Sequence, residues 1–222
     1  VHLFAFYPLW FSVLAMIVSG ALFVRGVRTK MLDICRVIAD WVSRKPTTLV
    51  FLALAAGLSA IAFLFPARLH LLGDGDLIAQ LTSADPGLKD LSANFRNQPL
   101  MFFAVRGTQY ALGQGAPVDV LPTYRVMDLA AGLLFISSIM FFLRFLNRSP
   151  VEKGLIGCLL FFGASSKFFF GYVENYAFLC VFLSAYLICG WLALEKHIHP
   201  LIAVLCFLCM LGMHLASLVF VP

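Results

Sequence analysis

Asp74 and Asp76 stand one glycine apart in the stretch LLGDGDLIAQ, where an apolar run of membrane length ends. A carboxylate in a partly dehydrated cleft can serve as a general base or orient a hydroxyl nucleophile. Two neighbouring carboxylates can also contribute to a divalent-cation site, provided other oxygens complete the shell. Asp76 has a structural use as well, because it can cap a short helix beginning at LIAQL. Asp74 has no such local task and is the first candidate for chemistry.

Other unusual polar residues recur at the ends of apolar runs. Glu174, in GYVENYAFL, heads one with Tyr172, Asn175 and Tyr176 beside it. Arg125 and Asp128 open another at i,i+3 spacing, where they can pair. Lys167 closes a third, and His214 lies towards the end of the last. Cations among these suit an anionic group such as a lipid phosphate. The aromatics Phe168, Phe169, Phe170, Tyr172 and Tyr176 suit a lipid tail or a sugar face. Each residue also has a plainer reading: Arg125–Asp128 as a structural pair, Lys167 as a snorkelling anchor, His214 as a core histidine.

The elements that must position these groups are set by composition. The 222-residue chain is 62% hydrophobic and 12% charged, with a mean hydropathy of +0.95. Soluble domains carry about 25% charge, so the expected class is all-α: a polytopic transmembrane helix bundle. The net charge of +5 is assigned to loops that set membrane orientation, not to nucleic-acid binding. Five of the six cysteines fall in apolar runs, and Cys206 and Cys209 read as small apolar residues of a membrane helix.

About six spans are expected, at residues 3–24, 47–66, 123–146, 153–170, 173–194 and 200–221, each near the ~20 residues that a bilayer requires. The first run is too long for an ordinary signal segment and reads as a retained helix. Residues 98–113 are shorter and more polar, and suggest an interfacial or re-entrant helix. Arg25, Arg28, Lys30, Arg36, Arg44 and Lys45 crowd the 25–45 loop against Asp33 and Asp40, which orients it to the cytoplasm. Arg144, Arg148, Lys153 and Lys196 mark two further inside loops.

The long 67–122 segment then falls outside and carries short interfacial helices, including Asp76–Ser83 and a turn at Asp85-Pro86-Gly87. The same alternation brings Asp74, Asp76, Arg125, Asp128, Lys167 and Glu174 to the outer side. His214 joins them, roughly 21 Å into a ~30 Å apolar core that its span enters from inside. His197 and His199 lie at the opposite, cytoplasmic end as ordinary interfacial residues.

In order along the chain, these features resemble the GT-C superfamily of integral-membrane glycosyltransferases, which includes protein O-mannosyltransferase-like and aminoarabinose transferase-like enzymes. The resemblance rests on GDGD after a span, NQPLMFFAVRGTQYALG, the arginine-led YRVMDLAAGLLF, FFGYVENYAFL and GMHLASLVFVP. It covers about residues 50–222. It implies transfer of a sugar from a polyprenyl-phosphate donor to a glycan, lipid or protein acceptor on the non-cytosolic face, with inversion. It assigns Asp74 or Asp76 as base and Glu174 as second acid. It offers Arg125, Lys167, Tyr172 and His214 as phosphate or substrate contacts. A divalent cation, if used, would fall to Asp74 and Asp76.

The implied location is a bacterial inner membrane, with the active face periplasmic or extracellular. Residues 1–46 would form an N-terminal helix and basic loop, and 47–222 a GT-C-like core. Gln98-Pro99 stands where the family carries Pro-Pro, and members have more spans, so the core is expected to be incomplete. Two other classes fit the composition: a transporter or lipid flippase, and a non-catalytic membrane scaffold. Transporters favour charges near the midplane and repeated halves. This sequence has neither.

Overall fold

The structure is a computed structural model that describes residues 13, 16, 17, 20, 21, 23–64, 97–113, 120–161, 169 and 176–220. The regular structure among them is helical. The chain divides into two compact units, one from Val1–Pro46 with Arg148–Leu155, the other from Thr47–Asn147 with Ile156–Pro222.

In the first unit, α1 spans Arg25–Ser43, so the basic segment expected as a loop is a 19-residue helix. Its sequence explains this. Apolar residues recur at three- and four-residue spacing, no proline interrupts them, and Asp33 pairs with Arg36 one turn on at 2.9 Å. None of its residues is buried.

The same unit holds the start of α5, Pro150–Phe161. Ser149 and Glu152 form a reciprocal cap there. The Ser149 backbone N–H and hydroxyl both donate to the Glu152 carboxylate at 2.9 Å, and the Glu152 N–H donates to the Ser149 hydroxyl at 3.3 Å. Pro150 sits at the first helical position, where its missing N–H costs nothing.

The second unit contains α2 (Thr47–Leu64), α3 (Pro99–Ala111), α4 (Val120–Phe145), the end of α5, α6 (Tyr176–Leu194) and α7 (Pro200–Met213). A 3-10 segment, Leu215–Phe220, follows. Two of these helices, α4 and α6, are long and apolar enough to cross a membrane, and apolar helices also cover Thr47–Ala60 and Pro200–Met213. At 1.5 Å per residue the 26 residues of α4 extend about 39 Å, more than a ~30 Å hydrocarbon core.

The unit is organised on α4, which packs against α2, α3 and α6, while α6 and α7 form a close antiparallel pair. Val120, Tyr124, Met127, Ala131, Phe135 and Ile139 repeat at three- and four-residue spacing and are all buried. The first half of this stripe meets Met101 and Val105 of α3 and Met213 of α7, with Phe178 and Phe182 of α6 against them. The second half meets Leu58 of α2, Phe169, and Ala177 and Val181 of α6. At Gly132 the helices approach so closely that a Cβ would stand 2.7 Å from Leu58 Cδ2 and 3.1 Å from Phe169 Cβ. Such small-residue contacts bring helices together where lipid supplies no hydrophobic drive between them.

Helix ends follow local chemistry. Lys196 takes a left-handed conformation (φ 61°) after α6, with the Lys196 N–H bound to the Ala193 carbonyl and the His197 N–H to that of Leu192. This is the usual glycine-terminated helix stop made with lysine. His199 then caps α7, its Nδ1 accepting from the Leu201 N–H at 3.2 Å, ahead of Pro200.

Two tests follow from this packing. Gly132→Val should cost about 1–3 kcal/mol, because its branches must displace Phe169 near its backbone. Gly132→Ala should cost far less, because Leu58 Cδ2 is the end of a flexible side chain and alanine restores about 1 kcal/mol of helix propensity. Thermal unfolding of the purified chain in detergent reads both.

Ser149 holds the Glu152 carboxyl below its ordinary value, chiefly through the backbone hydrogen bond and then through the hydroxyl. A lowered carboxyl stabilises the folded state above its unfolded value and loses that effect as pH falls through the lowered one. The stability difference between wild type and Ser149→Ala should therefore narrow on acidification below the carboxylate range.

Candidate functional site

The polar end of the second unit is assembled where α7 stops. The sequence pattern carries a helix on to residue 221, but the α-helix ends at Met213. His214 is extended (φ −161°, ψ 118°), and its N–H donates to the Met210 carbonyl at 3.0 Å. The buried Ser217 hydroxyl reaches the same carbonyl at 3.4 Å. The Leu215 N–H leaves the helix altogether and donates to the Asn97 carbonyl at 2.8 Å. Backbone groups freed by the break are thus taken up inside the protein, as an apolar surrounding requires.

This bond joins the end of α7 to the start of α3, at Asn97-Gln98-Pro99. The contact is close: a Cβ on Gly212 would run into the Leu100 side chain. Residues 98–113, expected as an interfacial or re-entrant helix, form α3 and bury Met101, Val105 and Gln109 against the bundle. The start of α6 reaches the same place, where the Tyr176 ring stacks on His214 with centroids 5.8 Å apart and planes 21° apart.

The first turns of α4 complete the end. Tyr124 and Met127 share a buried cluster with Met213, the residue before His214. Thr123, Tyr124 and Asp128 are almost wholly buried, with Asp128 1% exposed. A carboxylate so far from water needs a partner or a proton, and Asp128, Thr123, Tyr124, Tyr176 and His214 all engage further neighbours. Arg125 faces outward on the same helix. The two residues of the Arg125–Asp128 motif therefore occupy different surroundings, one exposed and one in the core.

Of the sequence-predicted site residues, Arg125 and His214 are described, on elements that meet at one end. Asp74, Asp76, Lys167, Tyr172 and Glu174 lie outside the described residues, as do the expected helix Asp76–Ser83 and the turn at Asp85. Along the chain, Glu174 and Tyr172 directly precede Tyr176, and the acidic turn lies between α2 and α3.

Sequence reasoning gave no role to Tyr124 or Gln109. Gln109 is 3% exposed, and its side-chain carbonyl accepts from Arg106 at 3.1 Å. Both had a signal: Tyr124 stands four residues before Asp128, and Gln109 three after Arg106, so each pair shares a helix face. Among the described residues no group of three His, Cys, Asp or Glu has metal-binding spacing.

A cavity of about 350 Å³ lies elsewhere, between the C-terminal halves of α4 and α6. It is lined by Phe135, Ile139, Phe142, Ser184, Ile188 and Trp191, among others. Its described lining is aromatic and aliphatic apart from Ser184.

The chain matches no family model, no curated protein and no solved structure. The arrangement itself supplies a buried carboxylate, a phenol stacked on an imidazole, and an exposed guanidinium one turn from the carboxylate. A guanidinium recognises phosphate with paired N–H donors. The Tyr176–His214 stack should show a coupling of about 0.5–1.5 kcal/mol in a double-mutant cycle of Tyr176→Ala and His214→Ala read by thermal unfolding. Additive losses would show that the rings do not depend on each other.

Proposed function

We propose that the chain is a membrane-embedded glycosyltransferase core that moves a sugar from a polyprenyl-phosphate donor to an acceptor hydroxyl on the non-cytosolic side. The observation that supports this reading is the meeting of α3, α4, α6 and α7 around Tyr124, Met127 and Met213, with the Tyr176–His214 stack and the Leu215–Asn97 bond at the end of α7 and Asp128 buried one turn along α4 from Tyr124. The chain segments holding Asp74, Asp76 and Glu174 lead into two of those helices, α3 and α6. The GT-C resemblance supports the same choice of reaction, and the remaining expected spans complete a six-helix bundle in a bacterial inner membrane.

In this reading an aspartate of the 74–76 turn takes the proton of the acceptor hydroxyl. The acceptor oxygen attacks the anomeric carbon, and the bond from that carbon to the donor phosphate breaks. Polyprenyl phosphate leaves with the bonding electrons, and the anomeric centre inverts. Arg125 and Lys167 receive the phosphate, and Tyr172 and His214 border the sugar.

The test is transfer of a labelled sugar from a polyprenyl-phosphate donor by the full-length protein in proteoliposomes. Loss of a positioned general base lowers rates by about 10²–10⁴-fold. A loss of that size is expected in Asp74→Asn or Asp76→Asn, with thermal stability retained. Full activity in both single variants and in the double variant would remove the turn from the reaction. Solute flux or lipid movement without sugar transfer would replace the transferase with a transporter.

A further inference from the structure

Helix α1 presents an apolar stripe that is exposed among the described residues. Val27, Met31, Ile34, Ile38 and Trp41 follow one another at spacings of four, three, four and three residues, so they share one face. All five are exposed, between 37% and 61%. The charges are sorted around that face. Arg28 and Lys30 flank the stripe on its two sides, whereas Arg25 and Arg36 lie on the far side of the helix. Asp33 and Asp40 lie on the opposite face, where Asp33 is bridged to Arg36 at 2.9 Å. Lys45 folds over the Trp41 ring at 4.7 Å, which places a cation beside the largest apolar group of the stripe.

We infer that α1 is an in-plane membrane helix that docks on an anionic lipid surface. The stripe enters the boundary between headgroups and acyl chains, and the bordering cations hold lipid phosphates. A helix with a strong apolar face, a cationic polar face and an interfacial tryptophan has the amphipathic character of this binding mode. Six cations against two acids within residues 25–45 give the attraction its sign. The acids lie away from the stripe, so the rim that would meet the partner is cationic on both sides. A second protein helix as occupant would call for opposite charges paired along the rim. The apolar runs 3–24 and 47–66 flank α1 in the sequence, making the bilayer the apolar phase nearest to hand. The inference is independent of sugar transfer and holds or fails without it.

The test uses the full chain in proteoliposomes, with Trp10→Phe and Trp191→Phe leaving Trp41 as the sole tryptophan. Difference spectra against Trp41→Phe in the otherwise native chain give the same assignment without those changes. In vesicles of phosphatidylcholine and phosphatidylglycerol, Trp41 emission should be blue-shifted. It should be quenched more by lipids brominated near the headgroup than by those brominated near the bilayer centre. Quenching should fall at least twofold in phosphatidylcholine alone, and likewise with Arg28→Gln plus Lys30→Gln. Water-like emission without quenching overturns the inference. Blue-shifted emission without quenching assigns the stripe to a protein occupant, such as a second copy, and also overturns it. Equal quenching in both lipid mixtures overturns the anionic partner.

Discussion

The buried stripe of α4 is the constraint on which the larger unit depends. One helix face supplies both hydrophobic clusters, so its residues must suit α3 and α7 in the first half and α2 and α6 in the second. In a lipid surrounding, moving an apolar side chain from lipid to a helix contact gains little transfer energy, and what remains is close packing. Gly132 allows α2 to approach, and Phe135 and Phe169 fill the space beside it with ring centroids 5.0 Å apart. A larger residue anywhere on this stripe would disturb several helices at once, because interiors packed at this density transmit strain.

The stripe also changes character along its length. From Ala131 to Ile139 it is apolar, whereas Thr123, Tyr124 and Asp128 bring buried polar groups to its first turns. Buried polar atoms are tolerated where other polar atoms can meet them. Thr123, Tyr124 and Asp128 each engage neighbours, and Tyr124 shares its buried cluster with Met213 at the end of α7. The irregular backbone after α7 finds its own partners in the Met210 and Asn97 carbonyls. The cavity between the other halves of α4 and α6 has a described lining that is aromatic and aliphatic with Ser184 as the exception.

The helical class and the positions of α2, α4, α6 and the start of α7 are legible in the sequence. Apolar runs of about twenty residues and the proline starts at Pro150 and Pro200 carry that information locally. The loop reading of 25–45 missed α1 because counting cations for orientation ignores their spacing, and the spacing makes that segment a helix. The end of α7 was not legible either. GMHLASLVF contains no proline and no glycine after Gly212, so propensity continues the helix. The helix stops because the Asn97 carbonyl, more than a hundred residues earlier in the chain, takes the Leu215 N–H. A tertiary hydrogen bond of this kind leaves no local trace.

That bond also explains why His214 is held where it is. In a continued helix, the Leu215 N–H would bond four residues back, and the histidine would project according to helical spacing alone. In the observed arrangement the Met210 carbonyl receives both the His214 N–H and the Ser217 hydroxyl, and Asn97 receives the next N–H. Three separate donors thus fix the backbone on both sides of the ring, and the Tyr176 ring fixes its face. The start of α3 and the end of α7 are consequently not independent. Any change that lifts Leu100 from Gly212 would withdraw the Asn97 carbonyl as well, and with it the geometry that presents His214. One long-range backbone bond and one ring stack thus couple α3 and α6 to the end of α7, and a displacement of α3 would be felt at His214.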